Sequence, residues 1–183
     1  ITAFLISLLA GPWFIRRLRA FQIGQVVRTD GPASHKPKAG TPTMGGLLIL
    51  ISLAVSTLLW ADLSNLYVWV VLLVTLAFGL LGFIDDFNKV MKRSSAGVSA
   101  RFKLLVQFAV AGIAVAALMY LQIPPLTNAL AVPFLKGVLI QMGWGFVIFG
   151  ALVVVGSSNA VNLTDGLDGL AIVPVMIAAT SFL

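Results

Sequence analysis

Long apolar runs alternate with short polar segments along the whole chain. A helix needs roughly 20 apolar residues to cross the hydrocarbon core of a bilayer. Runs that approach or reach this length predict six transmembrane helices, at residues 1–15, 43–61, 66–84, 102–121, 138–156 and 170–183. Because the chain begins and ends inside apolar runs, we expect it to be part of a longer protein. The pattern predicts an all-α fold, with one integral membrane domain at residues 1–183 built as a polytopic helical bundle.

The composition is typical of a membrane protein and excludes several classes of function. Hydrophobic residues make up 60% of the chain and charged residues only 10%, whereas soluble domains carry about 25% charged residues. The net charge is +6, but a chain this apolar offers no soluble basic face for nucleic acid. Cysteine is absent, which excludes a disulfide framework and thiolate chemistry. We therefore expect membrane lipids, and no nucleic acid, as partners.

The distribution of Lys and Arg predicts which loops face the cytoplasm. Segments 16–42 and 85–103 hold six and five of these residues, while turn 62–65 holds none and segment 122–137 holds one. Loops rich in Lys and Arg stay on the cytoplasmic side. Because successive loops lie on alternating sides, the predicted cytoplasmic loops are 16–42, 85–101 and 157–169. The third of these contains two aspartates and no Lys or Arg, so topology alone does not explain its composition.

Two adjacent carboxylates, Asp85 and Asp86, follow the third apolar run directly. If the helix continues, Asp85 and Lys89 are i,i+4 neighbours that can form an ion pair, and Asp86 points about 100° away. Adjacent carboxylates can bind a divalent cation, or one can act as a base while the other binds. A solvated helix end is the alternative, but acids at a helix C-terminus oppose the helix dipole. Their position beside the membrane favours a functional site.

The segment between the fifth and sixth predicted spans has a polar residue at every third position: Asn159, Asn162, Asp165 and Asp168. Three-residue steps drift by about 60° in an α-helix and align in a 3₁₀ turn, so neighbouring members converge in either case. Asn and Asp together suit hydrogen bonding to a sugar, a base or a hydrated metal. An Asx-rich turn between two spans is the alternative. Four such residues between membrane spans favour a binding site.

A basic segment that contains Lys38 and Thr43 leads into the second predicted span. Lysine side chains beside the backbone N–H groups of a helix start can hold a phosphate. The alternative is a topogenic basic loop followed by a packing face at Gly45 and Gly46. Taken alone, this segment supports both interpretations equally.

Four segments carry a resemblance to a known family: 24–28 with 30–32, 40–46, Asp85-Asp86 with Lys89, and 159–170. On these residues the chain resembles the phospho-N-acetylmuramoyl-pentapeptide-transferase family, within the polyprenyl-phosphate N-acetylhexosamine-1-phosphate transferases. The aspartate pair and the Asn/Asp segment are similar to features of the whole superfamily. The segment Gly-Thr-Pro-Thr-Met-Gly-Gly at 40–46 is more specific and points to the muramoyl branch.

The resemblance implies an enzyme, a phosphoglycosyl transferase of the bacterial inner (cytoplasmic) membrane whose active site faces the cytoplasm. Such an enzyme transfers phospho-MurNAc-pentapeptide from UDP-MurNAc-pentapeptide to undecaprenyl phosphate, giving lipid I and UMP in peptidoglycan biosynthesis. The implied cofactor is Mg²⁺. The family's metal-binding aspartate is expected beyond residue 183, so we expect the chain alone to be inactive. A homodimer is one assembly that we expect.

The resemblance also implies roles for individual residues. By motif match, Asp85 and Asp86 correspond to the catalytic pair of the family, one of them a base on the lipid phosphate, and both are candidate metal ligands. The other matched positions belong to the donor site: Asn162 and Asp165 near the nucleotide, Asn159 and Asp168 supporting them, and Lys38 and Thr43 along the nucleotide-sugar.

Three rival hypotheses stay open. The nearest is a sister transferase that uses UDP-GlcNAc and forms a polyprenyl-linked GlcNAc-1-phosphate. An ion-coupled transporter is a different class, but transporter sites lie near the bilayer midplane in broken helices, whereas the acids here lie at the ends of spans. The third hypothesis is a non-catalytic membrane scaffold, in which Asp86→Asn would leave activity unchanged.

Overall fold

The computed structural model describes residues 1–20, 44–92, 97–122, 127–132, 134–135, 137–164 and 170–181. Within these ranges the chain forms six helices and one two-stranded antiparallel sheet. The predicted all-α membrane bundle is confirmed, since the strands are only three residues each. The elements are α1 Thr2–Ala20, α2 Gly46–Trp60, α3 Leu66–Met91, α4 Ala100–Leu121, β1 Ala129–Ala131, β2 Leu139–Gln141, α5 Gly145–Thr164 and α6 Ile172–Ser181.

Three of the described helices, α3, α4 and α5, are long and apolar enough to cross a membrane, while α2 and α6 are apolar but shorter. Large apolar side chains such as Leu73, Leu105 and Ile148 are exposed on the three long helices, whereas the polar side chains of Asp85 and Gln107 are buried. This arrangement suits the hydrocarbon core of a bilayer, where exposed apolar surface carries no free-energy cost and an unpaired polar group is costly. The chain is therefore a multi-pass membrane protein.

The chain divides into two compact units, Ile1–Val106 and Gln107–Leu183. In the first unit α1 and α2 lie antiparallel. Trp60, which ends α2, donates from Nε1 to Thr2 Oγ1, at the start of α1, over 3.0 Å. Nearer the middle, Ser7 donates to Ser52 Oγ over 3.0 Å. Side chains on the facing helices thus form hydrogen bonds across the contact, and small hydroxyl side chains such as those of Ser7 and Ser52 are common in this role between transmembrane helices.

The turn between α2 and α3 is built by short polar side chains. Asp62 accepts hydrogen bonds from the hydroxyl of Ser64 at 2.6 Å and from its backbone N–H at 3.0 Å, and these bonds lower the pKa of Asp62 below its ordinary value. Asn65 caps α3, because its side chain accepts from the backbone N–H of Tyr67 at 3.0 Å. An acceptor at this position satisfies a donor that the first helical turn leaves unpaired.

Helix α3 runs beyond the predicted third span, 66–84, and continues to Met91. Both aspartates therefore lie on the helix and not in the predicted loop 85–101. They pair with Lys89 one turn further on, and Phe83 stacks on Phe87 with 6.0 Å between the ring centroids. Contacts at i,i+3 and i,i+4 stabilise a helix, which accounts for the added turns.

The first two spans also differ in length from their predictions. Helix α1 continues past residue 15 to Ala20. The Arg17 guanidinium lies 5.7 Å from the ring centroid of Trp13, a cation–π contact one turn back that supports the helix beyond residue 15. In place of the predicted span 43–61, the described helix α2 has 15 residues, fewer than the roughly 20 of a full crossing.

In the second unit α4 and α5 lie antiparallel. At one end Tyr120 and Trp144 meet edge to face, with 6.5 Å between the ring centroids. Further along, a Cβ added to Gly150 would come within 2.8 Å of Val115 Cγ1. The missing side chain of this glycine therefore lets the two helices approach closely.

The predicted span 138–156 is wrong in position. Part of it forms β2, which pairs with β1 so that Ile140 lies opposite Leu130, and the helix begins only at Gly145. A short apolar run does not distinguish a strand from a helix by periodicity alone. Gly143, in the left-handed region with φ 54°, lies between strand and helix, where glycine adopts such a conformation without steric cost.

The predicted loop 157–169 is consequently helical as far as Thr164. Polar side chains in this part of α5 bond to carbonyls one turn back: Asn159 donates to the carbonyl of Val155 and Thr164 to that of Ala160, each over 2.8 Å. These bonds give the polar side chains hydrogen-bond partners within the same helix. Polar residues at these positions therefore do not end α5.

Candidate functional site

Asp85, Asp86 and Lys89 form one cluster on the last turns of α3, here named the acidic clamp. Lys89 Nζ lies 2.6 Å from Asp85 Oδ2 and 3.2 Å from Asp86 Oδ1. The predicted i,i+4 pairing of Asp85 with Lys89 is confirmed, and the same ammonium also reaches Asp86 at i,i+3. A single cation thus holds two adjacent carboxylates whose like charges would otherwise repel each other.

The two carboxylates of the acidic clamp differ in their surroundings. The side chain of Asp85 is 12% exposed and that of Asp86 is 40% exposed. Asp85 Oδ1 accepts a hydrogen bond from the backbone N–H of Val98 at 2.8 Å, so both of its oxygens are engaged. Within the part of the chain that the structure describes, Asp86 is bound only by Lys89. Asp85 is therefore fixed at both oxygens, whereas the described residues engage only one oxygen of Asp86.

The donor atoms of the acidic clamp fit a magnesium ion shared with a substrate. Among the described residues, no three or more His, Cys, Asp or Glu side chains are grouped so that they could hold a metal by themselves. Mg²⁺, however, is usually bound through one or two carboxylates together with substrate phosphates and water. Asp86 offers an oxygen that no described residue binds, and Asp85 offers Oδ2, which now contacts Lys89.

The second predicted cluster is described only in part. Asn159 donates from Nδ2 to Oε1 of Gln107 on α4 over 2.8 Å, which commits its amide group to the neighbouring helix. Asn162, nearly one turn further along α5, is exposed. Four further predicted residues lie outside the described ranges: Lys38, Thr43, Asp165 and Asp168. The convergence of these residues on one substrate stays a prediction.

Sequence reasoning missed three residues at these sites. Gln107 is buried in an otherwise apolar part of α4, and an isolated polar residue in a membrane span is a signal that could have revealed it. Gly97 and Val98 give no such signal. Val98 acts through its backbone N–H, on a carboxylate 13 residues away in sequence, and Gly97 is identified only by the lack of space for a side chain beside that carboxylate.

These observations define a class of protein: a multi-pass helical membrane protein with a lysine-bridged pair of carboxylates at the end of a long apolar helix. The model of the family described as glycosyl transferase family 4 matches residues 68–183. This match covers more than half of the chain and includes the acidic clamp and all of α5. The chain therefore belongs to glycosyl transferase family 4.

A second match covers fewer residues and points to one branch of this family. Residues 38–50 match phospho-N-acetylmuramoyl-pentapeptide-transferase signature 1, and this segment contains Lys38 and Thr43. The chain is also 58% identical, over all 183 residues, to a phospho-N-acetylmuramoyl-pentapeptide-transferase of Rhodopseudomonas palustris (strain BisA53). The chain spans 51% of the length of that relative. The family resemblance inferred from the sequence motifs is thus confirmed.

Proposed function

We propose that the complete protein transfers phospho-MurNAc-pentapeptide from UDP-MurNAc-pentapeptide to undecaprenyl phosphate, giving lipid I and UMP. The observation that carries this proposal is the 58% identity, along the whole chain, to a relative named as a phospho-N-acetylmuramoyl-pentapeptide-transferase. The signature match at residues 38–50 supports the muramoyl donor in particular. The acidic clamp supports the chemistry, because it provides carboxylates and a cation at the end of a membrane helix.

The proposed transfer forms one phosphorus–oxygen bond and breaks another. An oxygen of the lipid phosphate attacks the phosphorus that carries MurNAc, and the bond from that phosphorus to the bridging oxygen of UDP breaks. The electron pair of the broken bond leaves on the oxygen of UMP. A carboxylate of the acidic clamp, from Asp85 or Asp86, takes the proton of a protonated lipid phosphate, which makes the attacking oxygen a better nucleophile.

Charge is the main obstacle to this reaction, since both substrates are anionic and the acidic clamp holds two carboxylates. Lys89 offsets part of that negative charge through its contacts at 2.6 and 3.2 Å. Mg²⁺, when bound, neutralises phosphate charge and stabilises the charge that develops during transfer. Asp86 and Asp85 are the described residues that would hold this ion.

We infer that the acidic clamp faces the cytoplasm of the bacterial inner membrane. The five Lys and Arg residues between 85 and 103 support this orientation. The soluble UDP-linked donor is available on that side, and the lipid acceptor reaches the same surface from within the bilayer. The residues proposed to bind the donor are Lys38, Thr43, Asn159, Asn162, Asp165 and Asp168. The undecaprenyl chain, membrane lipids and a second copy in a homodimer are the other proposed partners.

The variant Asp86→Asn in the complete protein tests the enzymatic role of the acidic clamp. It keeps the shape of the side chain and removes its charge, so loss of a general base or metal ligand should lower kcat by about 10²–10⁴-fold. The assay follows UMP release and the lipid-linked product. Asp62→Asn, in the turn between α2 and α3, is the matched control and should keep full activity. An Asp86→Asn protein with full activity and an unchanged melting temperature would refute this role.

Competition between donors tests the choice of substrate separately. The complete protein is given equal amounts of UDP-MurNAc-pentapeptide and UDP-GlcNAc, together with undecaprenyl phosphate and Mg²⁺. We expect lipid I as the main product, because the signature at residues 38–50 belongs to the muramoyl enzymes. A predominance of lipid-linked GlcNAc-1-phosphate would overturn the donor assignment and leave the reaction class intact.

A further inference from the structure

Gly97 lies closer to the acidic clamp than a residue with a side chain could. A Cβ at this position would overlap Asp85 Oδ1 and would lie 2.8 Å from Asp85 Cγ and 2.9 Å from Lys89 Cε. Real Cβ atoms essentially never approach other heavy atoms within 3.0 Å. The backbone of Gly97 is not in the left-handed region. A larger residue here would therefore have to displace the side chains of Asp85 and Lys89, although the backbone conformation itself does not demand glycine.

The residue that follows makes use of this close approach. Val98 donates its backbone N–H to Asp85 Oδ1 over 2.8 Å, and this bond ties the segment before α4 to the last turns of α3. Lys89 holds the other carboxylate oxygen, Oδ2. A carboxylate that is bound at both oxygens cannot exchange them by rotation. Oδ1 therefore stays on the backbone, and Oδ2 is the oxygen left to exchange Lys89 for another partner.

We propose that Gly97 is a positioning residue of the active site, and that Gly97 and Val98 form a backbone latch that decides which oxygen of Asp85 meets the substrates. The catalytic meaning of this latch rests on the proposed function. The latch itself touches no substrate and acts through Asp85. Catalytic groups must be held within about 0.5 Å of their productive geometry, and a displacement of about 1 Å can cost roughly 100-fold in rate.

The variant Gly97→Ala in the complete protein adds one methyl group at the latch. The matched control is Gly82→Ala on α3, where an added Cβ has no atom within 4 Å. We expect Gly97→Ala to lower kcat by about 10- to 100-fold, with the donor KM and the melting temperature unchanged, and Gly82→Ala to leave kcat unchanged. A kcat within about twofold of wild type, or a parallel fall of activity and melting temperature, would overturn the positioning role.

Hydrogen exchange of the Val98 amide tests the latch without any substrate. We expect exchange to be about tenfold faster in Gly97→Ala and in Asp85→Ala, because each variant breaks the bond that protects this amide. Exchange should be unchanged in Gly82→Ala. Unchanged exchange in Gly97→Ala would refute the latch. This result is independent of the proposed function, which fails separately if Asp86→Asn keeps full activity.

A second variant keeps the test decisive if Gly97→Ala does not fold. Val98→Pro removes the backbone donor and adds no atom to residue 97. A folded Val98→Pro protein should show a loss of kcat of the same size, about 10- to 100-fold. Full activity in this variant would overturn the proposal, since the Asp85 carboxylate would then need no backbone partner.

Discussion

Lys89 offsets part of the negative charge of the acidic clamp. The free energy that its two ion pairs contribute to stability can be bounded. The side chain is 37% exposed, so water and salt screen its two ion pairs. Partly exposed pairs of this kind contribute about 0.2–1 kcal/mol, which is too little to decide whether α3 folds. The same energy is enough to compete with a weakly bound cation. We therefore infer that Lys89 tunes access to the carboxylates of Asp85 and Asp86 more than it stabilises the helix.

The variant Lys89→Met tests this competition. Removing the ammonium frees Asp85 Oδ2 and Asp86 Oδ1 for a divalent cation, so the affinity for Mn²⁺, used as a paramagnetic substitute for Mg²⁺, should rise. A gain of up to about 1 kcal/mol corresponds to roughly fivefold in the dissociation constant. Electron paramagnetic resonance of Mn²⁺ with the complete protein, without substrates, measures this directly. The control is Lys92→Met, at the exposed end of the same helix. Weaker Mn²⁺ binding in Lys89→Met would show that Lys89 supports the cation site instead of competing for it.

At the scale of elements, the two close glycine contacts of the described helices differ in how easily they can adapt. A Cβ on Gly79 of α3 would meet the end of the Leu50 side chain, which can rotate away. A Cβ on Gly150 of α5 would meet both methyl groups of Val115, at 2.8 and 2.9 Å. A β-branched side chain in a helix has one strongly preferred rotamer. The contact between α4 and α5 is therefore the stiffer of the two.

The variant Gly150→Ala should consequently destabilise the pairing of α4 with α5. Overpacking costs about 1–3 kcal/mol, and the better helix propensity of alanine returns up to about 1 kcal/mol. We expect a net loss of about 1–2 kcal/mol, measured by reversible unfolding of the complete protein in detergent. Gly156→Ala on the same helix has no atom within 4 Å of the added Cβ and should be neutral or stabilising. Equal stability of the two variants would contradict a rigid contact at Gly150.

The sequence was most informative about which helices exist and least informative about where they end. Hydropathy placed the fourth span at 102–121, close to the observed Ala100–Leu121. It misplaced the start of α5 by seven residues, because the apolar run at 138–142 belongs to a strand and turn. It also ended α5 too early, at 156. Side-chain bonds to the preceding turn keep polar residues such as Asn159 helical, and hydropathy does not include those bonds.

The candidate site could be predicted only where its contacts are local in sequence. Helical spacing alone gives the pairing of Asp85 with Lys89. The bond from Val98 to Asp85 Oδ1 depends on how the chain returns between α3 and α4, and no periodicity encodes it. The bond between Asn159 and Gln107 joins residues 52 positions apart. A lone amide in an apolar helix indicates that a partner exists, but its identity requires the packing of two helices.

At the scale of the whole molecule, the proposed function depends on one topological condition. The acidic clamp near the end of α3 and the polar end of α5 must lie at the same membrane face, since one donor must reach both. If α3, α4 and α5 each cross the bilayer once, the end of α3, the start of α4 and the end of α5 share a face. The Lys and Arg residues between 85 and 103 predict that this face is cytoplasmic.

Single-cysteine labelling tests this topology. Residues 1–183 contain no natural cysteine, so this part of the protein contributes no background labelling. Ser64→Cys probes the turn between α2 and α3, Ser99→Cys the start of α4, and Leu163→Cys the end of α5, all at exposed positions. A membrane-impermeant maleimide should label Ser64→Cys in right-side-out vesicles, and the other two only in inside-out vesicles. Each variant must first retain transferase activity. Labelling of Ser99→Cys and Leu163→Cys from opposite sides would leave the acidic clamp and the end of α5 without a common aqueous face. No shared active centre could then exist, whatever the family to which the chain belongs.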